Sequence, residues 1–187
     1  MKELVFLLEE KSAADLLESL WPRLIPPESD IVPRFFTFQG KQDLEKEIPR
    51  KIRFYQNPEA RFLIMRDQDH GDCLIIKDRL TALCQANTGG RPFLVRIVCR
   101  ELENWYLAQL GALEKALNLG GLAKRQNKSR YRNPDNIQAA QELFQLTGQT
   151  PAKRAWARTI GPYLDISDGR STSFKHFVSA VRRLCAD

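Results

Sequence analysis

Apolar residues gather in four short runs within the first hundred positions, near residues 3–8, 33–38, 61–66 and 93–99. Runs of this length, bounded by polar residues and turn signals, predict buried strands. Between them the period changes to that of a helix. After the first run, Ser12-Ala-Ala-Asp15 reads as a capping box opening a helix that carries Leu16, Leu17, Leu20 and Trp21 and stops before Pro26-Pro27. A charged amphipathic segment from Lys41 to Tyr55, broken near Pro49, follows the second run. A helix from Cys73 to about Cys84 follows the third, and Ala86 to Pro92 is a turn. The fourth run leads into a helix from about Glu101 to Leu119. Strand-helix alternation of this kind predicts an α/β fold with a mostly parallel sheet of about four strands and helices on both faces. Beyond Gly120-Gly121 only helical patterns remain, over 135–146, 151–163 and 171–185. The chain divides on this reading into an α/β core, residues 1–121, and a helical extension packed on it, residues 122–187.

Each of three runs ends in acids. The first leads to Glu9-Glu10, the third to Asp67, Asp69 and Asp72, and the fourth to Glu101 and Glu103. In parallel neighbours these carboxylates converge at the carboxyl edge of the sheet, where open α/β sheets form ligand sites. If the chain stays extended, Asp67 and Asp69 project from the same side of the strand end. Carboxylates held that close repel unless a proton or a cation sits between them. Hard oxygen donors at such an edge suit Mg²⁺ or Mn²⁺. A plainer reading stands beside this one: Asp72 caps the helix at Cys73, and Asp67 and Asp69 are solvated loop residues. His70 is a general-base candidate or a bystander, and His176 packs or caps in the last helix.

The charge pattern changes the picture more than the composition does. The 187 residues carry a formal net charge of +6, with 28% charged and 43% hydrophobic residues, ordinary for a globular protein. The strongest basic run is Lys124, Arg125, Lys128, Arg130 and Arg132 with Tyr131 interleaved. It reads either as a nucleic-acid contact, with Tyr131 stacking on a base, or as a solvated linker. A smaller cluster, Arg50, Lys51 and Arg53, reads as an exposed helix end. No run approaches a membrane span, and the N-terminus lacks a signal-peptide pattern. Cys73, Cys84, Cys99 and Cys185 lack paired spacing and read as reduced, buried thiols of a cytoplasmic protein, with zinc not expected.

A strand ending in Glu, a later strand ending in Asp-x-Asp and a parallel α/β layout together resemble the Toprim domain of topoisomerases, primases and the overcoming-lysogenization-defect nucleases. The chain is closer still to a compact Toprim-like group catalogued as domain-of-unknown-function family 4276 and often found in anti-phage loci. Its motifs are matched by Leu8-Glu9-Glu10-Lys11-Ser12-Ala13, Asp67-Gln-Asp69-His-Gly-Asp72-Cys73, Glu101-Leu-Glu103-Asn-Trp105 and Ser173-Phe174. Glu10 stands where the family usually has glycine, Ala13 where a second glutamate is common, and Gln109 where an acid is frequent.

The resemblance implies a metal-dependent nuclease acting on a phosphodiester substrate. Glu9, Asp67 and Asp69 would hold Mg²⁺ or Mn²⁺, and Asp72 and Glu103 would serve as outer ligands or orient water. Lys153 and the 124–132 run would neutralise the scissile strand. It also implies a separate ATPase partner, as relatives of the group often have, and leaves a homo-oligomer open; the chain has no phosphate loop of its own. The rival reading is a non-catalytic partner subunit, bound to nucleic acid or ATPase, with a degenerate first loop.

Overall fold

β1 (Glu3–Leu8) is buried along its whole length because it has a strand on either side and helices on both faces. The structure, a computed structural model, describes residues 1–26 and 28–186. β1, β2 (Val32–Thr37), β3 (Ala60–Asp67) and β4 (Phe93–Val98) form one all-parallel sheet in the order β2-β1-β3-β4. The pleat sorts each strand between two cores. Leu4, Phe6, Leu8, Leu63 and Met65 face α1 (Lys11–Leu24), α5 (Leu110–Ala116), α7 (Lys153–Ile160) and α8 (Thr172–Cys185). Val5, Leu7, Phe62, Ile64 and Val95 face α2 (Lys41–Arg53) and α3 (Cys73–Gln85). The helices beyond residue 122 therefore share one apolar cluster with β1 and α1, through Trp156, Ile160, Phe174, Phe177 and Val181. No strand follows Gly121 among the described residues, and no helix is long and apolar enough to cross a membrane.

Several local expectations give way to tertiary contacts. α1 starts at Lys11 with Glu10 at its N-cap position, so Ser12 and Asp15 form no capping box. Instead Asp15 is buried and accepts hydrogen bonds from Arg154 Nε at 2.7 Å and Arg158 Nη2 at 3.2 Å, tying α1 to α7. α1 ends at Leu24, ahead of Pro26; Pro27, also read as a stop, lies outside the described residues. α2 runs through Pro49 unbroken, because burying Leu44, Ile48 and Ile52 on one stripe outweighs the lost backbone bond. The helix expected over 101–119 is two short ones, α4 (Asn104–Leu107) and α5. The break is at Gln109, whose side chain donates to Asp165 O at 3.0 Å and accepts from Asp165 N at 2.6 Å. α6 spans Ala139–Thr147 rather than 135–146. Asp135 sits instead under the start of α8, accepting from Ser171 Oγ at 2.6 Å and Ser173 N at 2.9 Å. Of the four free thiols only Cys84 is fully buried; the other three are half-buried.

Candidate active site

The sheet order changes direction between β1 and β3, since α1 leaves to one face and α2 and α3 cover the other. That is the topological switch point, where open α/β sheets bind ligands. The carboxyl ends flanking it carry Glu9 and Asp67. Asp67 has the parity of Leu63 and Met65, so its side chain points toward the α1 and α7 face. Arg66, one residue earlier, points to the opposite face and pairs with Glu45 of α2, which Arg79 of α3 also reaches at 2.6 Å.

Asp67 sits low in a group of carboxylates. Its N–H donates to Glu9 Oε2 at 3.1 Å, and its Oδ2 accepts a long bond from Leu102 N at 3.4 Å. Glu103, in the turn after β4, is 3% exposed, and its Oε2 has no hydrogen-bond partner among the described residues. Tyr106, one helical turn on, is buried with its hydroxyl also unpartnered. Burial and then the charges of Glu103 and Glu9 push the Asp67 carboxyl well above the usual carboxylate range. Burial likewise raises Glu103 and Glu9, and burial with the Glu103 and Asp67 charges raises the Tyr106 phenol. Two cations reach the group: Arg66 Nε lies 4.0 Å from Glu9 Oε2, and Lys153, the first residue of α7, places its Nζ 3.0 Å from Glu10 Oε1. Burial opposes its charge, but Glu10, Glu103 and Asp67 outweigh that and hold its pKa above the ordinary lysine value. Ser12 Oγ donates to the same Glu10 oxygen at 2.8 Å.

The remaining expected residues lie elsewhere. Asp69 does not share a side with Asp67, because β3 ends at Asp67 and Asp69 takes a left-handed backbone with φ 53°. Its carboxylate turns to the other face and pairs with Lys41 of α2 at 2.9 Å. Asp72 is the helix cap, accepting from Leu74 N at 2.8 Å and Ile75 N at 3.1 Å. His70 is exposed on the rim, and His176 is exposed on α8 rather than packed. The 124–132 run is a chain of single 3₁₀ turns. Lys124, Arg125, Lys128, Arg130 and Arg132 are exposed, but Arg130 pairs with Glu142. Tyr131 cannot stack on a base, since it is buried and its hydroxyl donates to Glu142 Oε1 at 2.6 Å. Reading the sequence missed Glu10 as the Lys153 partner, and missed Tyr106. The only signal for Tyr106 was its place three residues after Glu103, on the same side of a helical turn.

The donors are all carboxylate oxygens, and a buried one without a partner is a group that a hard divalent cation would satisfy. In chemistry the set fits Mg²⁺ or Mn²⁺. As the side chains stand, no group of three or more His, Cys, Asp or Glu among the described residues is gathered closely enough to hold an ion. A cation would have to draw Glu9, Asp67 and Glu103 together.

Because the folded-state pKa of Glu103 is raised, its contribution is favourable below the ordinary glutamate range and is lost as pH rises through the folded value. Glu103→Gln is therefore expected to melt above wild type at about pH 8 in EDTA and to converge with it near pH 4, the region of the unfolded carboxyl. Thermal melts across pH check this; a variant that melts lower throughout would show that Glu103 is already compensated.

The fold and site define an open, all-parallel α/β protein with a crowded, largely buried carboxylate cluster at its switch point and Lys153 beside it. The chain belongs to the family described as domain of unknown function (DUF4276), whose model matches residues 8–185. No curated protein and no solved structure matches the chain.

Proposed function

We propose that this protein is a Toprim-like, metal-dependent nuclease of the cytoplasm that hydrolyses phosphodiester bonds with Mg²⁺ or Mn²⁺, working beside a separate ATPase. The observation that carries this reading is the placement of Glu9 and Asp67 on adjacent parallel strand ends, with the unpartnered Glu103 oxygen beside them. Glu9, Asp67 and Glu103 would hold the cation, with Asp69 on the rim. When bound, such a cation supplies charge neutralisation at the attacking and leaving oxygens. Lys153 brings its ammonium toward the non-bridging oxygens of the scissile phosphate by leaving Glu10. Glu9 Oε2 is engaged by the Asp67 N–H, so Oε1 is the oxygen left to take a proton from the attacking water.

A second reading, a non-catalytic partner subunit, draws on the Lys153–Glu10 pair, which neutralises part of the cleft without any ion. Incubation of pure protein with duplex DNA, single-stranded DNA and RNA separates the two. Cleavage with Mg²⁺ or Mn²⁺ that stops in EDTA, together with a rise in melting temperature on adding Mg²⁺, is the expected result. No cleavage and no Mg²⁺-dependent shift would leave the partner-subunit reading in its place.

A further inference from the structure

The outward face of α8 carries Lys175, His176, Arg182 and Arg183 and no carboxylate, while Phe174, Phe177, Val178, Val181 and Leu184 turn inward. Two arginines from the sheet join this face. Arg96 of β4 donates from Nε to His176 O at 3.0 Å and from Nη1 to Val95 O at 2.8 Å. Arg61 of β3 donates from Nη1 to Leu184 O at 2.5 Å and lines a groove of about 350 Å³ with Arg183, Phe93 and Leu94. None of the six forms an ion pair with a carboxylate among the described residues.

Helix stability explains only part of the pattern. Arg182 and Arg183 lie in the last turn, where cations complement the macrodipole. Lys175 lies toward the N-terminus, where a cation gains nothing from it. Arg96 is half-buried beside Arg183, and burial followed by that like charge lowers its pKa. A cationic stripe left uncompensated in this way focuses a positive potential on whatever docks there.

We propose that this face of α8, with Arg96 and Arg61, is a docking surface for the phosphodiester backbone of nucleic acid. The ligand class rests on the phosphodiester reading of the cleft. α8 begins against Trp105, two residues beyond Glu103, through the Trp105 Nε1 bond to Ser173 Oγ at 2.9 Å. It then runs to the amino edge of the sheet at Arg61. Its 14 residues span about 21 Å, the axial length of about six base pairs, room for three or four phosphate contacts. The surface therefore leads a bound strand away from the cleft along the flank of the molecule.

Binding without chemistry tests it. Fluorescence anisotropy in EDTA would measure the affinity of labelled duplex DNA and RNA against salt. The proteins are wild type, Lys175→Gln/Arg182→Gln/Arg183→Gln and Asp67→Asn. All three substituted α8 positions are exposed, so the fold should survive, and circular dichroism checks it. The triple variant is expected to bind at least about tenfold more weakly at moderate salt, with the log–log salt slope reduced by about two to three. Asp67→Asn should bind as well as wild type. An unchanged slope in the triple variant overturns the proposal. So does a wild-type protein that ignores both nucleic acids, or that binds only polyglutamate through the same residues. A wild-type protein that docks nucleic acid but does not cut it with Mg²⁺ or Mn²⁺ counts against the cleft and leaves this surface standing.

Discussion

Asp67→Asn is expected to lower metal-dependent cleavage by about a hundredfold or more while raising the melting temperature in EDTA. Removing a group that merely orients a metal ligand costs about 10- to 100-fold, so removing a ligand itself belongs at or above the upper end. The substitution keeps the shape of the side chain, and the amide oxygen still accepts from Leu102 N. What it deletes is a charge that burial, Glu103 and Glu9 all disfavour. A raised carboxyl pKa costs stability once pH passes the unfolded value of about 4, and the cost grows until the folded value is reached. The advantage of asparagine in EDTA should therefore be absent in acid and appear as pH rises. Mg²⁺ should raise the melting temperature of wild type and leave Asp67→Asn unmoved. A variant that still cuts at the wild-type rate would remove Asp67 from the chemistry. One that melts lower than wild type at neutral pH would show that the carboxylate is already stabilised in the folded protein.

Trp105→Ala is expected to cost about 3–5 kcal/mol of folding stability, the range for emptying a large aromatic from a core. Trp105 is fully buried, with its ring 4.9 Å from Phe174 and 5.2 Å from Phe177. Its Nε1–H donates to Ser173 Oγ at 2.9 Å. The same hydroxyl group lies beside Ser171 and Asp135, which hold the first turn of α8. The indole thus joins the turn carrying Glu103 to the helix carrying the basic stripe, and its role is packing. Trp105→Phe, which keeps the ring but leaves Ser173 Oγ without that donor, should cost about 1–3 kcal/mol, the low end of the alanine effect or below it. Urea denaturation of the three proteins gives the comparison. If Trp105→Ala loses less than about 1 kcal/mol, far below the cost of a large cavity, the region collapses to fill it and α8 is anchored elsewhere.

Local pattern carried the sheet. Strands buried on both faces read as unbroken apolar runs, and a helix between consecutive runs requires them to be parallel. The four runs are the four strands, and the acids that follow them lie at one edge because parallel strands end together. Glu9, Asp67 and Glu103 were legible at that edge for that reason, and so was the absence of strands after Gly121 among the described residues. Asp72 was legible only as a choice between cap and ligand, because a carboxylate immediately before an apolar run serves either.

What tertiary structure alone decided is which of these charges meet. The turn at Asp69 reverses the side its carboxylate takes, and period-two reasoning fails where the backbone leaves the extended region. Lys153 meets Glu10, 143 positions earlier, because α7 packs on α1, through Trp156 and Ile160 in the shared core and through Asp15 with Arg154 and Arg158. Tyr131 looked like a stacking residue in a basic run, but Glu142, eleven positions later, gives its hydroxyl a buried acceptor. The basic stripe of α8 was invisible in the chain, because Arg61 and Arg96 are distant in sequence and join it only where β3 and β4 pass beneath the helix. Periodicity reports which face of an element is buried. It cannot report which charge from another element waits there, since that depends on how the helices settle on the sheet.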